Sequence, residues 1–287
     1  MTGWRHTAKQ AIGRIGRQLA APPGSRAAVL CYHSVHPTLR FRSATPADFA
    51  AQLDWLQQDC DIVALPELLA PGGTATGQSR PRVAITFDDG YRDNYEHAFG
   101  LLQERKLPAT FFITVGFVER EARVLERFQF LRQTGLADLE SLSWAQAREM
   151  SAAGMELAAH TFSHPNLARQ SLPEQERELI DAKHLMEDRL GRPVTGFAYP
   201  FGKLGRHFTA ATIEILQRAG YAYAAGTFNR RLRAGDSRWM LPRLFVSGDS
   251  FAELQDKVLG AGDGIGWLQE RTPLWLARRV SPGDFAV

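Results

Sequence analysis

From residue 27 onward, short apolar runs alternate with stretches of helical period, and this alternation constrains the fold more than any other feature of the chain. Strand-like runs at Ala28–Tyr32, Ile62–Leu65, Val83–Phe87, Thr110–Val115, Met155–Ala159, Gly196–Tyr199, Tyr221–Ala225 and Leu241–Val246 are separated by helical periods. Those periods lie at Pro46–Gln58, Asn94–Lys106, Trp144–Ala153, Pro173–Leu190 and Thr209–Ala219. Strands joined through helices run parallel, with the helices outside the sheet. Seven or eight of them predict an α/β protein of the (β/α)7–8 barrel kind. In such a barrel, residues that do chemistry sit where strands end and loops begin. Polar residues gather at those points: Tyr32-His33, Asp88-Asp89, His160, and Tyr199-Pro200-Phe201-Gly202.

The sharpest of these strand ends is Val83-Ala84-Ile85-Thr86-Phe87-Asp88-Asp89-Gly90, a β-branched apolar run that delivers two carboxylates to the rim of a sheet. Successive strand residues face opposite ways, so Asp88 and Asp89 share a site only if the chain begins to turn there. Asp-Asp-Gly is also ordinary turn chemistry. His160-Thr161-Phe162-Ser163-His164-Pro165 sets two imidazoles four residues apart, a spacing that predicts both rings on one side of a helical turn. Joined by a distant carboxylate, the pair makes a two-histidine, one-aspartate metal site.

With 287 residues and 44% hydrophobic content, the chain has ample material for a core. Its 34 basic and 31 acidic residues nearly balance, which gives no support to nucleic-acid binding. Cys31 and Cys60 are too few for a disulfide framework; Cys31, in an apolar strand-like run, reads as a buried free thiol, and neither is assigned chemistry. Residues 4 to 19 form a basic amphipathic helix, with Trp4, Ala8, Ile12, Ile15 and Leu19 on one stripe. Packing on the body of the domain is expected of it, with peripheral contact to an anionic membrane as the alternative. Arg5, Lys9, Arg14 and Arg17 interrupt any signal-peptide core, so a cytoplasmic location, at the inner face of the membrane, is the expectation. The expected organisation is residues 1–24 as the basic helix, 25–262 as the barrel and 263–287 as an accessory segment around Leu274-Trp275-Leu276. Residues 71–80 read as a surface loop, and residues 116–140, with mixed charge and poor periodicity, as an insertion over one face.

Thr86-Phe87-Asp88-Asp89-Gly90, the His160–Pro165 stretch and Tyr199-Pro200-Phe201-Gly202 resemble, in order and separation, the first three motifs of the polysaccharide deacetylase domain (NodB homology, carbohydrate esterase family 4). The resemblance covers roughly residues 27 to 250. Leu30-Cys31-Tyr32-His33 and the stretch from Phe49 to Leu56 are similar to the branch containing exopolysaccharide N-deacetylases. The family fold is a distorted (β/α) barrel. By this resemblance Asp89, His160 and His164 hold a divalent metal, zinc first, with cobalt, nickel, iron or manganese as alternatives. Asp88 is then the general base, the backbone N–H of Phe201 serves the oxyanion, and Tyr199 and Pro200 line the substrate. The implied reaction is hydrolysis of N-acetyl groups on a glycan polymer or a lipid-linked glycan. Removal of a formyl or O-acetyl group is the alternative within enzymes.

Two departures from the family pattern stand out. Ala198 occupies the position where the third motif carries an arginine that pairs with the catalytic aspartate. No histidine follows His207, so the family's late general acid is missing. Arg243, on the nearest equivalent strand, cannot release a proton at neutral pH. Asp88 is therefore expected to lack its partner, and leaving-group protonation is unassigned. These losses also admit a carbohydrate-binding protein without turnover. A non-haem iron oxygenase is disfavoured because the carboxylate lies far upstream and beside a second aspartate. His33 reads equally as a site neighbour or a core histidine. His207, soon after Gly202, is a candidate site neighbour for leaving-group protonation, with a surface residue at a helix N-terminus as the preferred reading, and His36, His97 and His184 read as surface residues.

Overall fold

The computed structural model describes residues 26–38, 43–74, 79–132, 140–246, 248–261 and 263. The basic helix expected over residues 4–19 and the accessory segment around Leu274-Trp275-Leu276 lie outside the described residues.

The sheet is parallel, as the alternation predicts, and its order is β10-β1-β5-β6-β7-β8-β9. The strands are β1 (Ala27–Tyr32), β5 (Arg82–Phe87), β6 (Thr110–Ile113), β7 (Glu156–Ala159), β8 (Gly196–Ala198), β9 (Tyr223–Ala225) and β10 (Leu244–Phe245). A short β4 (Asp61–Ile62) pairs with the start of β5, and β2 (Ser34–Val35) pairs with β3 (Ser43–Ala44) beside the mouth. The strand expected at Leu241–Val246 contracts to β10 because its first half is used elsewhere. Leu241 bridges Ala225 of β9, whereas Leu244 and Phe245 pair with Leu30 and Cys31 of β1. One segment thus reaches from the last strand toward the first and curls the sheet into a barrel.

Side-chain alternation sorts the strand residues into two layers. Leu30, Ile85, Phe87, Phe111, Leu157 and Phe197 face outward and pack against the helices in the larger core. Ala27, Val29, Ala84, Phe112, Ala158, Ala198, Ala225 and Leu241 face the interior, which Leu65 and Leu68 of the short helix Leu65–Leu69 join.

Several helices begin at capping side chains. The helix Pro46–Asp59 starts behind Thr45, whose side chain accepts the Asp48 N–H, and Trp144–Ala152 starts at a Ser143/Gln146 capping box. Two expected helices contain π-helical turns: Asn94–Phe99 leads into Gly100–Glu104, and Arg177–Asp181 separates Leu172–Glu176 from Ala182–Leu190. The segment read as an irregular insertion contains helices Val115–Val118 and Ala122–Arg132. Phe117 and Phe128 stack at 4.5 Å and pack against Tyr91, so apolar contacts, not periodicity, hold this layer. Among the described residues no helix is long and apolar enough to cross a membrane.

Candidate active site

The alternation that builds the interior also aims the chemistry. Thr86 and Asp88 follow Ala84 on the inner face of β5, Cys31 and His33 follow Val29, His160 follows Ala158, and Arg243 follows Leu241. Asp88 is held at the end of its strand by donating its N–H to Tyr32 O at 3.0 Å. Asp89 would point outward by the same rule, but its φ of 77° turns it back, which answers how adjacent carboxylates share one site.

Asp89, His160 and His164 are fully buried and offer ligand atoms that all lie within 4.8 Å of one another. Asp89 Oδ1 lies 3.8 Å from His160 Nε2 and 3.5 Å from His164 Nε2. Ligands about 2.1 Å from a tetrahedral ion sit about 3.4 Å apart, so the three are spaced to hold one. His160 Nδ1 is 2.8 Å from Ala198 O, and its N–H donates there, which leaves Nε2 as the ligand nitrogen. His164 is set by ring edges: Phe128 at 5.4 Å and Phe201 at 4.9 Å.

The histidines do not share a helical turn, as their spacing predicted. The chain leaves β7 into a loop in which Thr161 (φ 66°) and His164 (φ 54°) are both left-handed. Such residues cost on the order of 1–3 kcal/mol each and persist only where their surroundings hold them. Thr161 Oγ1 accepts the His164 N–H at 2.9 Å, and Gly116 donates to Phe162 O at 2.8 Å. A side chain at Gly116 would bring Cβ to 2.8 Å from that same oxygen, so glycine is required there.

The expectation that Asp88 lacks a partner is overturned. Arg243 reaches through the interior and grips it with two parallel hydrogen bonds, Nη1 to Oδ1 at 2.6 Å and Nη2 to Oδ2 at 2.8 Å. Arg243 Nε donates to Gly226 O at 3.0 Å, and the guanidinium lies 5.2 Å over the Phe112 ring. Burial by itself raises the carboxyl pKa. The Arg243 charge, helped by His160, the Arg243 hydrogen bonds and His33, outweighs that and holds Asp88 at about 2. The arginine expected at Ala198 is thus supplied from the last strand. Cys31, to which the sequence assigned no chemistry, brings its thiol 3.5 Å from Asp88 Oδ2.

The third motif divides. Phe201 is left-handed (φ 61°), 36% exposed, and lies against the ring of His164. Its carbonyl accepts the Thr227 hydroxyl at 2.6 Å, while its N–H makes no hydrogen bond among the described residues. Gly202 is fixed by its φ of 67° and by Thr227 N, which would lie 2.5 Å from an added Cβ. Pro200 is buried and its carbonyl accepts the Gly202 N–H. Tyr199 does not line the site as expected. Its ring is buried, stacked on Phe208 at 3.6 Å, and its hydroxyl donates to Trp239 O.

His33 is buried beside Phe245, ring centroids 5.1 Å apart, and close enough for its charge to act on Asp88. Its carbonyl accepts from Asn94 Nδ2 at 2.8 Å. His207 is half-buried rather than on the open surface, 5.3 Å from the Phe201 ring, with Nδ1 accepting the Lys203 N–H.

A parallel (β/α) barrel whose mouth buries an Asp–His–His cluster beside an arginine-clamped aspartate defines the class of this protein. Residues 75–224 match the Polysaccharide deacetylase family, and the chain belongs to it. It is similar to the poly-β-1,6-N-acetyl-D-glucosamine N-deacetylase of Staphylococcus aureus (strain MRSA252), 23% identical over 222 residues covering 74% of this chain and 70% of that protein. The solved structure of IcaB from Ammonifex degensii matches with a TM-score of 0.67 and 28% identity, over 82% of this chain and 97% of that one. The fold is also that of the Streptococcus pyogenes deacetylase PplD, solved in complex with acetate, at a TM-score of 0.65 and 22% identity, covering 88% and 100% of the two chains.

Proposed function

We propose that the protein is a metal-dependent N-deacetylase acting on N-acetylglucosamine units of an exopolysaccharide, of the β-1,6-linked kind named for its Staphylococcus aureus relative. The observation that carries this reading is the division of labour at the end of β5. Asp89 faces two histidines at ligand spacing, while Asp88 is kept out of that set and ionised by Arg243.

Asp89, His160 and His164 would hold the ion, which when bound supplies Lewis acidity toward the acetamide carbonyl and acidifies a water molecule. Asp88, whose Oδ2 lies 4.0 Å from His160 Nε2, accepts the proton of the attacking water as its oxygen joins the carbonyl carbon. With a pKa of about 2 it stays ionised across the working range, in the form that accepts a proton. The Phe201 N–H is available to the carbonyl oxygen as negative charge grows there. The C–N bond then breaks while the sugar nitrogen takes a proton, which we assign to His33, on the inner face and electrostatically coupled to Asp88. Acetate and a free amine leave. Arg243 also removes one of the two reasons for a binding-only reading, since Asp88 has its arginine.

The test is acetate release from β-1,6-linked N-acetylglucosamine oligomers, with β-1,4-linked oligomers beside them, by stripped protein reloaded with zinc, cobalt, nickel, iron or manganese. Release is expected to fall at least about 100-fold in Asp88→Asn and His160→Ala. Oligomer binding without release under any of these metals would overturn the enzymatic reading.

A further inference from the structure

The loop that carries the histidines is held by a side chain that none of the motifs contains. Glu178 lies on the π-helical turn Arg177–Asp181 and faces Ser163, the residue before His164. Its Oε2 accepts the Ser163 N–H at 2.7 Å, and its Oε1 accepts the Ser163 hydroxyl at 2.5 Å. Its carbonyl accepts the Phe162 N–H at 3.1 Å. From the other side, Arg127 donates to Ser163 O at 2.9 Å. Every polar group of Ser163 is therefore engaged, and two consecutive backbone N–H groups of the loop end on one residue.

That clamp acts where the loop is most strained, between left-handed Thr161 and His164. π-Turns are rare and gather at functional sites. This one presents a carboxylate and a carbonyl together to the same loop. We infer that Glu178 is a positioning residue for the metal site: it holds Ser163 so that His164 Nε2 stays beside Asp89 Oδ1. Removing it lets the loop relax from its left-handed geometry and spreads the ligand atoms. Groups that orient ligands from outside the coordination sphere typically change metal affinity 10–100-fold. This inference rests on Asp89, His160 and His164 being the ligands.

The test is titration of zinc into the stripped full-length chain, with the visible spectrum of the cobalt form as a second readout. Glu178→Ala is expected to raise the zinc Kd about 10–100-fold and to alter the cobalt spectrum. Glu178→Gln, which keeps an acceptor for the Ser163 N–H, recovers part of the affinity. Turnover at saturating zinc falls much less than affinity does. Glu187→Ala is the control for a merely structural effect. Glu187 lies on the following helix Ala182–Leu190 and accepts from Val194 N and Lys183, away from the loop. It lowers the melting temperature without moving the Kd. A folded Glu178→Ala protein that binds zinc within about twofold of wild type, with an unchanged cobalt spectrum, overturns the inference alone. An equal loss of affinity in Glu187→Ala does so too. If the wild type binds neither ion, or His164→Ala leaves the Kd unchanged, the ligand assignment itself falls and this inference with it.

Discussion

Arg243 heads the fully buried side chains by volume, and its charge is answered by one carboxylate. Removing one partner of such a pair leaves an uncompensated buried charge, at a cost of about 3–5 kcal/mol. Arg243→Met is therefore expected to lower the free energy of unfolding in urea by that amount. Asp88→Asn combined with Arg243→Met should lie closer to wild type than Arg243→Met alone, because no lone charge remains. A neutral Arg243→Met would show that the pair contributes nothing to folding. From the sequence, Asp88, Asp89, His160 and His164 are legible because motif and strand end coincide. Arg243 was visible as a site neighbour on the strand nearest the family's last motif, but not as the partner of Asp88. Its pairing depends on β10 lying beside β1, a closure across the whole chain that no local pattern encodes. Cys31 was missed for the same reason: its neighbour Asp88 lies 57 residues away.

Among the elements, the alternation predicted the parallel strands well and the loops between them poorly. Two histidines four apart suit a helix, yet hydrogen bonds donated by the Val115 and Gly116 N–H groups and accepted by Glu178 hold that stretch left-handed. Those partners come from two other elements, so the spacing could not reveal them. A comparable clamp joins β2 to the turn after β5. Asp93 accepts from the Ser34 hydroxyl, from Val35 N at 3.3 Å and from Asn94 Nδ2 at 2.9 Å, while Asn94 also ties down the His33 carbonyl. Burial raises the Asp93 carboxyl to about 7, against the opposing pull of those hydrogen bonds. The folded protein then binds a proton that the unfolded chain, titrating near 4, has already released. The stability from this group is fully present below about pH 4 and is lost as pH rises through about 7, at no more than about 1.4 kcal/mol per pH unit. Asp93→Asn is expected to flatten the melting temperature across that window. A wild-type melting temperature that rises from pH 4 to 7, with the same slope in Asp93→Asn, would exclude Asp93 as the source.

At the scale of the molecule, the barrel interior carries five alanines, Ala27, Ala84, Ala158, Ala198 and Ala225, beside larger side chains that include Phe112, Tyr223 and Leu241, with the Arg243 guanidinium over the Phe112 ring. Ala198 and Arg243 both face this interior, and Arg243 supplies Asp88 with the guanidinium that Ala198 lacks, so the two positions read as one choice rather than two departures. Asp88 has its two oxygens taken by one arginine. Ala198→Arg, which adds the arginine at its family position, brings a second guanidinium into the buried interior, where Asp88 is already paired with Arg243 and Asp89 is turned to His160 and His164. Overpacking costs about 1–3 kcal/mol and an unpaired buried charge adds several more. The single variant is expected to lose at least about 3 kcal/mol of unfolding free energy or to fail to accumulate as folded protein. Ala198→Arg with Arg243→Ala relieves both penalties, because the new guanidinium inherits the carboxylate and the volume. It should be more stable than either single variant and should regain acetate release relative to Arg243→Ala. Chemical denaturation and the oligomer assay on the four proteins decide it. If Ala198→Arg alone stays within about 1 kcal/mol of wild type, well below the overpacking and charge costs combined, the interior has room for both arginines. The view that the last strand took over the place of the third motif would then be wrong.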